Sequence, residues 1–128
     1  MSRSFWRLRV RSEFSASHAL RHYQGKCESI HGHNFSVEVE IEGEKLTEKT
    51  EYLLDFSVMK KELNALLDTL DHKDLNVTPP FDVLNPTSEN LARHIFTEFR
   101  PMVEVYNVRL HSVTVGEKAS QSATYFEE

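Results

Sequence analysis

The chain has 128 residues, 39% hydrophobic and 27% charged, with a formal charge of −5 when histidine is neutral. This describes one domain, 1–128, able to bury its own core, and the acidic balance argues against a general affinity for nucleic acid. No apolar run approaches the roughly 20 residues that span a bilayer. The single cysteine and an N-terminal stretch without an apolar core point to a reducing, cytoplasmic setting.

Residues 5 to 18 are expected as a strand. Trp6, Leu8, Val10, Phe14, Ala16 and His18 share one parity, and Arg7, Arg9 and Arg11 the other. Residues 19 to 30 form a polar loop. From His33 to Glu42 the alternation returns, with Phe35, Val37, Val39 and Ile41 on one face and Ser36, Glu38, Glu40 and Glu42 on the other. An antiparallel pair of these strands sets the three arginines against Glu38, Glu40 and Glu42.

Residues 43 to 50 read as a polar hairpin connection and 52 to 54 as a short strand or extended link. Ser57 is placed to cap a helix reaching about Leu70, with Met59, Leu63, Leu66, Leu67 and Leu70 as its apolar stripe. The Pro79-Pro80 segment, 76 to 85, is loop. Thr87 caps a second helix, Glu89 suits its first turn, Leu91, Ile95 and Phe99 face inward, and Pro101 is expected to stop it. Residues 105–117 and 121–127 complete the chain as two strands around a turn. The order β-β-α-α-β-β predicts an α+β fold, an antiparallel sheet with two helices packed on one face. The charged second face meets water or encloses a wet channel in an oligomer.

The chemistry concentrates at Cys27-Glu28-Ser29-Ile30-His31-Gly32-His33. In an extended segment His31 and His33 project to the same side, with Cα atoms about 6–7 Å apart. His18 belongs to the matching parity of the neighbouring strand, so three imidazoles on a core face ask for a partner. Three nitrogens suit a catalytic zinc site with one position open; the plain alternative is a histidine-rich loop mouth. Cys27 is read equally as a small buried hydrophobe or as a thiol activated by its surroundings, or as a fourth ligand closing a structural site. Asp71 could orient His72 and raise its basicity, although adjacent residues often point different ways and spacing alone favours a plain polar helix end. Glu117 could take two N–H donors from a flat heterocycle or simply be solvated. His22, His94 and His111 are read as surface or core residues.

With these residues in view, the chain resembles the 6-pyruvoyl-tetrahydropterin and 6-carboxytetrahydropterin synthase family over nearly its whole length. The carriers are Phe14 to His18, Cys27 with His31-Gly32-His33, Asp55-Phe56, Leu70 to Asn76, Pro86 to Leu91, and Glu117. The resemblance implies that His18, His31 and His33 bind Zn2+ and that Cys27 is the catalytic base with Asp71 and His72. It implies that Glu117 anchors the pterin ring, aided by Thr87, Ser88, Glu89 and Asn90. It implies the tunnelling fold, in which three subunits close a barrel and two barrels stack into a homohexamer whose sites lie between subunits. The charged face would then line the tunnel. The implied substrate is 7,8-dihydroneopterin triphosphate, with Arg21, Lys26 and Lys73 as candidate cations for its phosphates.

The three-residue gap between Cys27 and His31 resembles the bacterial 6-carboxytetrahydropterin synthases of the queuosine (7-deazaguanine) pathway. Glu28 resembles the base of a related subgroup that cleaves the side chain to 6-hydroxymethyl-7,8-dihydropterin, a folate precursor. A chain with both implies two activities. The alternatives are a folate-only enzyme, a non-catalytic zinc- or pterin-binding module, and a zinc hydrolase that gives no role to Cys27 or Glu117.

Overall fold

In the computed structural model, which describes residues 2–128, the alternating segments pair into a five-stranded sheet of order β3-β1-β2-β4-β5. The strands are β1 (Trp6–His18), β2 (His31–Gly43), β3 (Lys73–Asp74), β4 (Arg109–Lys118) and β5 (Gln121–Tyr125), and the helices are α1 (Phe56–Leu67) and α2 (Ser88–Glu104). The fold is α+β. The two long strands pair antiparallel in the expected register: Arg7 faces Glu42, Arg9 faces Glu40 and Arg11 faces Glu38. Ion pairs follow at 3.0 Å (Arg7–Glu42), 2.9 Å (Arg9–Glu40) and 3.4 Å (Arg9–Glu38).

The opposite face is buried. Val10, Phe14, Phe35, Val37, Val39, Ile41, Val113 and Val115 meet Met59, Leu63, Leu66 and Leu67 of α1 and Leu91, Ile95, Phe99 and Val103 of α2 in one apolar core. This one-sided burial is what the period-two alternation requires.

Several boundaries differ from expectation, each for a local reason. The sheet is not wholly antiparallel: β3 runs parallel to β1, pairing Ala16 with Lys73 and Ser17 with Asp74. Two residues are too few to leave a periodic signal. The cap of α1 is Asp55, not Ser57; its carboxylate accepts the Ser57 N–H at 2.9 Å and the Ser57 hydroxyl at 2.8 Å. Those bonds, the backbone one first, hold the Asp55 carboxyl below its ordinary range. The helix ends at Leu67, yet Leu70 stays in the core through a turn in which its N–H bonds the Leu67 carbonyl at 2.9 Å.

Pro101 lies inside α2 and does not stop it. The ring removes one backbone donor, while Val103, fully buried a half-turn on, keeps the last turn docked. Residues 105–108 are therefore the exit of α2, with Asn107 in the left-handed region at φ 64°, rather than the start of a strand. Leu53 and Leu54 are buried outside any strand, and β2 begins at His31, two residues early. Among the described residues no helix is long and apolar enough to cross a membrane.

Candidate active site

His18 ends β1 and His31 begins β2, and the register places them opposite each other with His33 across from Ala16. One ligand atom from each of the three rings lies within 4.8 Å of the others. His18 Nδ1 is 2.8 Å from the Pro86 carbonyl oxygen, and His31 Nδ1 is 2.9 Å from that of Ser29. A carbonyl only accepts, so each Nδ1 carries a proton, and in the neutral ring Nε2 is then the nitrogen left to bind an electrophile. The Nε2 atoms of His18 and His33 are buried without a hydrogen-bond partner. Burial pushes the His33 imidazole below its ordinary pKa, opposed by Glu117 and reinforced by His18, His31 and Lys118. Two imidazoles whose second nitrogens are fixed by carbonyls, with His33 beside them, form the kind of donor set a divalent transition metal takes.

The segment that carries His18 into the loop is gripped from outside. The Asn76 side chain accepts the Ala19 N–H at 2.8 Å and donates to the Ala19 carbonyl at 2.8 Å. Asn85 does the same to Arg21, accepting at 2.7 Å and donating at 2.8 Å. The Arg21 guanidinium donates to the carbonyls of Phe81 (2.7 Å), Asn76 (3.1 Å) and Leu84 (3.1 Å). Arg21 is thus committed to loop carbonyls rather than free for a phosphate. Sequence reasoning missed this clamp. Its only trace in the sequence is the pair of asparagines that bound the 76–85 loop.

Asp71 and His72 form a bonded pair, with His72 Nδ1 2.9 Å from Asp71 Oδ2. Asp71 Oδ1 accepts the Ser15 N–H at 2.8 Å, and the His72 N–H returns to the Ser15 carbonyl at 2.6 Å. The Ser15 bond is the leading cause that holds the Asp71 carboxyl below its ordinary range. His72 adopts φ 58°, which turns the exposed imidazole outward beside an open cavity of about 540 Å³. Ser15, Ser17, Asn34 and Lys73 also line that cavity.

Cys27 is exposed in the 19–30 loop, and among the described residues it has no direct hydrogen bond to Asp71 or His72, the other two members of the expected triad. Glu28 spends one carboxylate oxygen on the Leu20 N–H at 3.0 Å, and its own N–H bonds the Leu20 carbonyl at 2.9 Å. Glu117, near the end of β4, reaches His18 Nε2 and His33 Nε2, each at 3.4 Å.

Thr87 caps α2 as expected, its hydroxyl accepting the Asn90 N–H at 3.1 Å. The Asn90 side chain donates to the Asn85 carbonyl at 2.9 Å, so this residue braces the clamp. Ser88 and exposed Glu89 begin the helix without a described contact to the histidines.

The fold and the three histidines define an α+β domain with a group that could hold a metal ion at one end of its sheet. The model of the 6-pyruvoyl tetrahydropterin synthase family matches residues 7–128, and the chain belongs to that family of lyase-type pterin enzymes. A 6-carboxy-5,6,7,8-tetrahydropterin synthase from Synechocystis sp. is 36% identical over 125 residues, covering 94% of this chain and 93% of that protein. A dihydroneopterin monophosphate aldolase from Pyrococcus furiosus is 38% identical over 94 residues, covering 73% and 75%. The structure of Caenorhabditis elegans 6-pyruvoyl tetrahydropterin synthase superposes with a TM-score of 0.83 at 25% identity, covering 100% of this chain and 99% of that one.

Proposed function

We propose that the protein is a zinc-dependent 6-carboxytetrahydropterin synthase. It would convert 7,8-dihydroneopterin triphosphate to 6-carboxy-5,6,7,8-tetrahydropterin, supplying the queuosine (7-deazaguanine) pathway in the cytoplasm. The observation that carries the reading is the pair of buried, unpartnered Nε2 atoms on His18 and His33, converging with His31 in a chain of this family. The Synechocystis relative supports the carboxy product.

His18, His31 and His33 hold the zinc as neutral nitrogen ligands. Bound there, zinc supplies Lewis-acid polarisation of the substrate's side-chain hydroxyls, which acidifies the neighbouring carbon-bound hydrogens. Cys27, exposed at the loop mouth, is the base that takes one such hydrogen. Asp71 fixes His72 by the bond to Nδ1, leaving the outward Nε2 to move a second proton. Glu117 receives the N–H edge of the pterin, with the Thr87–Asn90 turn walling that end. Cys27 has no hydrogen bond to the Asp71–His72 pair among the described residues, and the reading brings them together through assembly. A neighbouring copy brings its exposed His72 to this zinc, as in a hexamer of two stacked trimeric barrels. The Arg–Glu face of β1 and β2 would line the tunnel.

A second activity, cleavage of the side chain to 6-hydroxymethyl-7,8-dihydropterin for folate synthesis, has its own support in the Pyrococcus aldolase relative. Glu28 is the candidate base, using the carboxylate oxygen that does not hold Leu20.

Product analysis tests both. Zinc-loaded wild type, Cys27→Ala and Glu28→Ala are incubated with 7,8-dihydroneopterin triphosphate under reducing conditions. Two products from wild type, with only the hydroxymethyl product lost in Glu28→Ala, support the dual reading. The carboxy product alone, unaffected by Glu28→Ala, makes Glu28 a loop residue. No pterin product removes the enzyme reading in favour of a binding module.

A further inference from the structure

The register of the three long strands lays polar side chains in rows across the charged face of the sheet. Arg7 of β1 stands opposite Glu42 of β2, and Glu42 stands opposite Arg109 of β4. Arg7 Nε reaches one oxygen of Glu42 at 3.0 Å, and Arg109 pairs with the other. Two guanidinium groups therefore share one carboxylate, and this row keeps a surplus positive charge in a chain that is −5 overall. The next row is balanced: Arg9 faces Glu40, and Glu40 faces Ser112.

The surplus lies against a cavity of about 240 Å³ lined by Arg3, Phe5, Arg7, Glu42, Glu44 and Arg109. Arg3 pairs with Glu44, so three guanidinium groups meet two carboxylates there. Each guanidinium carries five N–H donors in a planar fork. Arg7 bonds Glu42 through Nε alone, and Arg109 through one terminal nitrogen. The other nitrogens of both have no protein partner among the described residues. The Phe5 ring packs on the Arg7 guanidinium, with Cζ 5.4 Å from the ring centroid. Such stacking covers the flat face of the cation and leaves its in-plane N–H groups for an acceptor. The Glu42 side chain is 11% exposed, against 45% for Arg7 and 60% for Arg109. The carboxylate lies beneath and the cations face outward, so an anion arriving from solvent meets donors first.

We infer that this pocket binds a small phosphate oxyanion, bridged by the outward N–H groups of Arg7 and Arg109 with Arg3 at its rim. Phosphate matches the guanidinium fork, since two of its oxygens accept two parallel N–H groups. The cavity falls below the roughly 300–1,000 Å³ of pockets that enclose drug-sized ligands, which suits a bare oxyanion. The site is separate from the pterin reading and does not depend on it. Trp6 pairs with Gly43 at this end of the β1–β2 ladder, and His18 with His31 at the other. The strand between them, rising about 3.3 Å per residue, keeps the two sites roughly 40 Å apart.

Isothermal titration calorimetry tests the site. Full-length, zinc-loaded protein is titrated with inorganic phosphate and with diphosphate, at an ionic strength held constant with sodium chloride. Arg109→Gln should weaken binding about tenfold or more, because a charge-assisted bidentate contact is lost. Arg109→Lys keeps the charge without the fork and should fall between. Glu42→Gln should tighten binding, because the carboxylate that competes for both arginines is neutralised. Arg100→Gln, on α2 and paired with Glu104 and Glu127, should bind as wild type does. The titration is repeated on metal-free protein, where binding at the arginines should persist; loss of all phosphate binding with the metal places the anion at the histidines and overturns the inference. A wild-type response no greater than that to sodium chloride, an adventitious ion only, also overturns it, as does wild-type affinity in Arg109→Gln. Circular dichroism shows which variants are folded. If Arg109→Gln is not, Arg109→Lys and Glu42→Gln decide, and wild-type affinity in both overturns the site.

Discussion

His18 is tied to Pro86 across 68 positions of sequence: its Nδ1–H reaches the Pro86 carbonyl at 2.8 Å. That one bond fixes the tautomer, aims Nε2 at His31 and His33, and joins the end of β1 to the cap of α2. The centre is therefore set by a loop outside the histidine motif.

The first prediction concerns the ligands. His18→Ala should lose stoichiometric zinc after dialysis, measured by elemental analysis. Wild type should retain it and lose pterin turnover on treatment with a strong chelator, recovering when zinc is restored. A His18→Ala protein that keeps one zinc per chain would refute the assignment.

The clamp supplies the second. Asn85→Ala leaves the part-buried backbone groups of Arg21 without their side-chain partner, an expected loss of about 1–3 kcal/mol in stability. It should also weaken metal binding about tenfold, because the Pro86 carbonyl that orients His18 is no longer held. Chelator competition at a temperature where the variant is folded reads the second effect. A variant that melts earlier but binds metal normally would limit Asn85 to stability.

Phe35 gives the third. Its fully buried ring stacks on Phe14 at 5.0 Å and meets the edges of His18 at 5.1 Å and His33 at 5.7 Å. Phe35→Ala should cost about 3–5 kcal/mol in denaturant unfolding. It should also release metal more readily than a comparable truncation in α2, such as Phe99→Ala.

The fourth turns on pH. The Asp71 carboxyl is held below its ordinary value by the Ser15 N–H and then by His72. A carboxyl with a depressed folded pKa contributes stability that is fully present above its unfolded value of about 3.9 and is lost as pH falls through the folded value. Acid unfolding of Asp71→Asn should therefore depend less steeply on pH below about 4 than that of wild type. At neutral pH the same variant should lower turnover about tenfold or more through a misdirected His72, while zinc binding stays intact. An unchanged turnover would deny Asp71 its positioning role.

Much of this was legible in the residues. The alternation of apolar and charged side chains in β1 and β2 gave their pairing, their register and the shared parity of His18, His31 and His33, because strand side chains repeat every two residues. The sequence places the α1 cap at Ser57 and not Asp55 because Asp and Ser two positions apart are both good caps, and only backbone geometry decides between them. Pro101 was misread as a stop because its local cost is visible in sequence, while the burial of Val103 that outweighs it is not. β3 and the clamp left no signal, since a two-residue parallel strand has no period and an asparagine amide names no partner.

By itself the sequence determined the α+β order, the charged and apolar faces of the sheet, and the three histidines as one group, all from local periodicity and motif spacing. The tertiary structure alone decided which nitrogen of His18 is free, that Arg21 is spent on carbonyls, that Glu117 faces two imidazoles, and that Cys27 is exposed in its loop. Those depend on contacts between residues tens of positions apart, whose distances follow from how the loops pack against the sheet and not from any pattern along the chain.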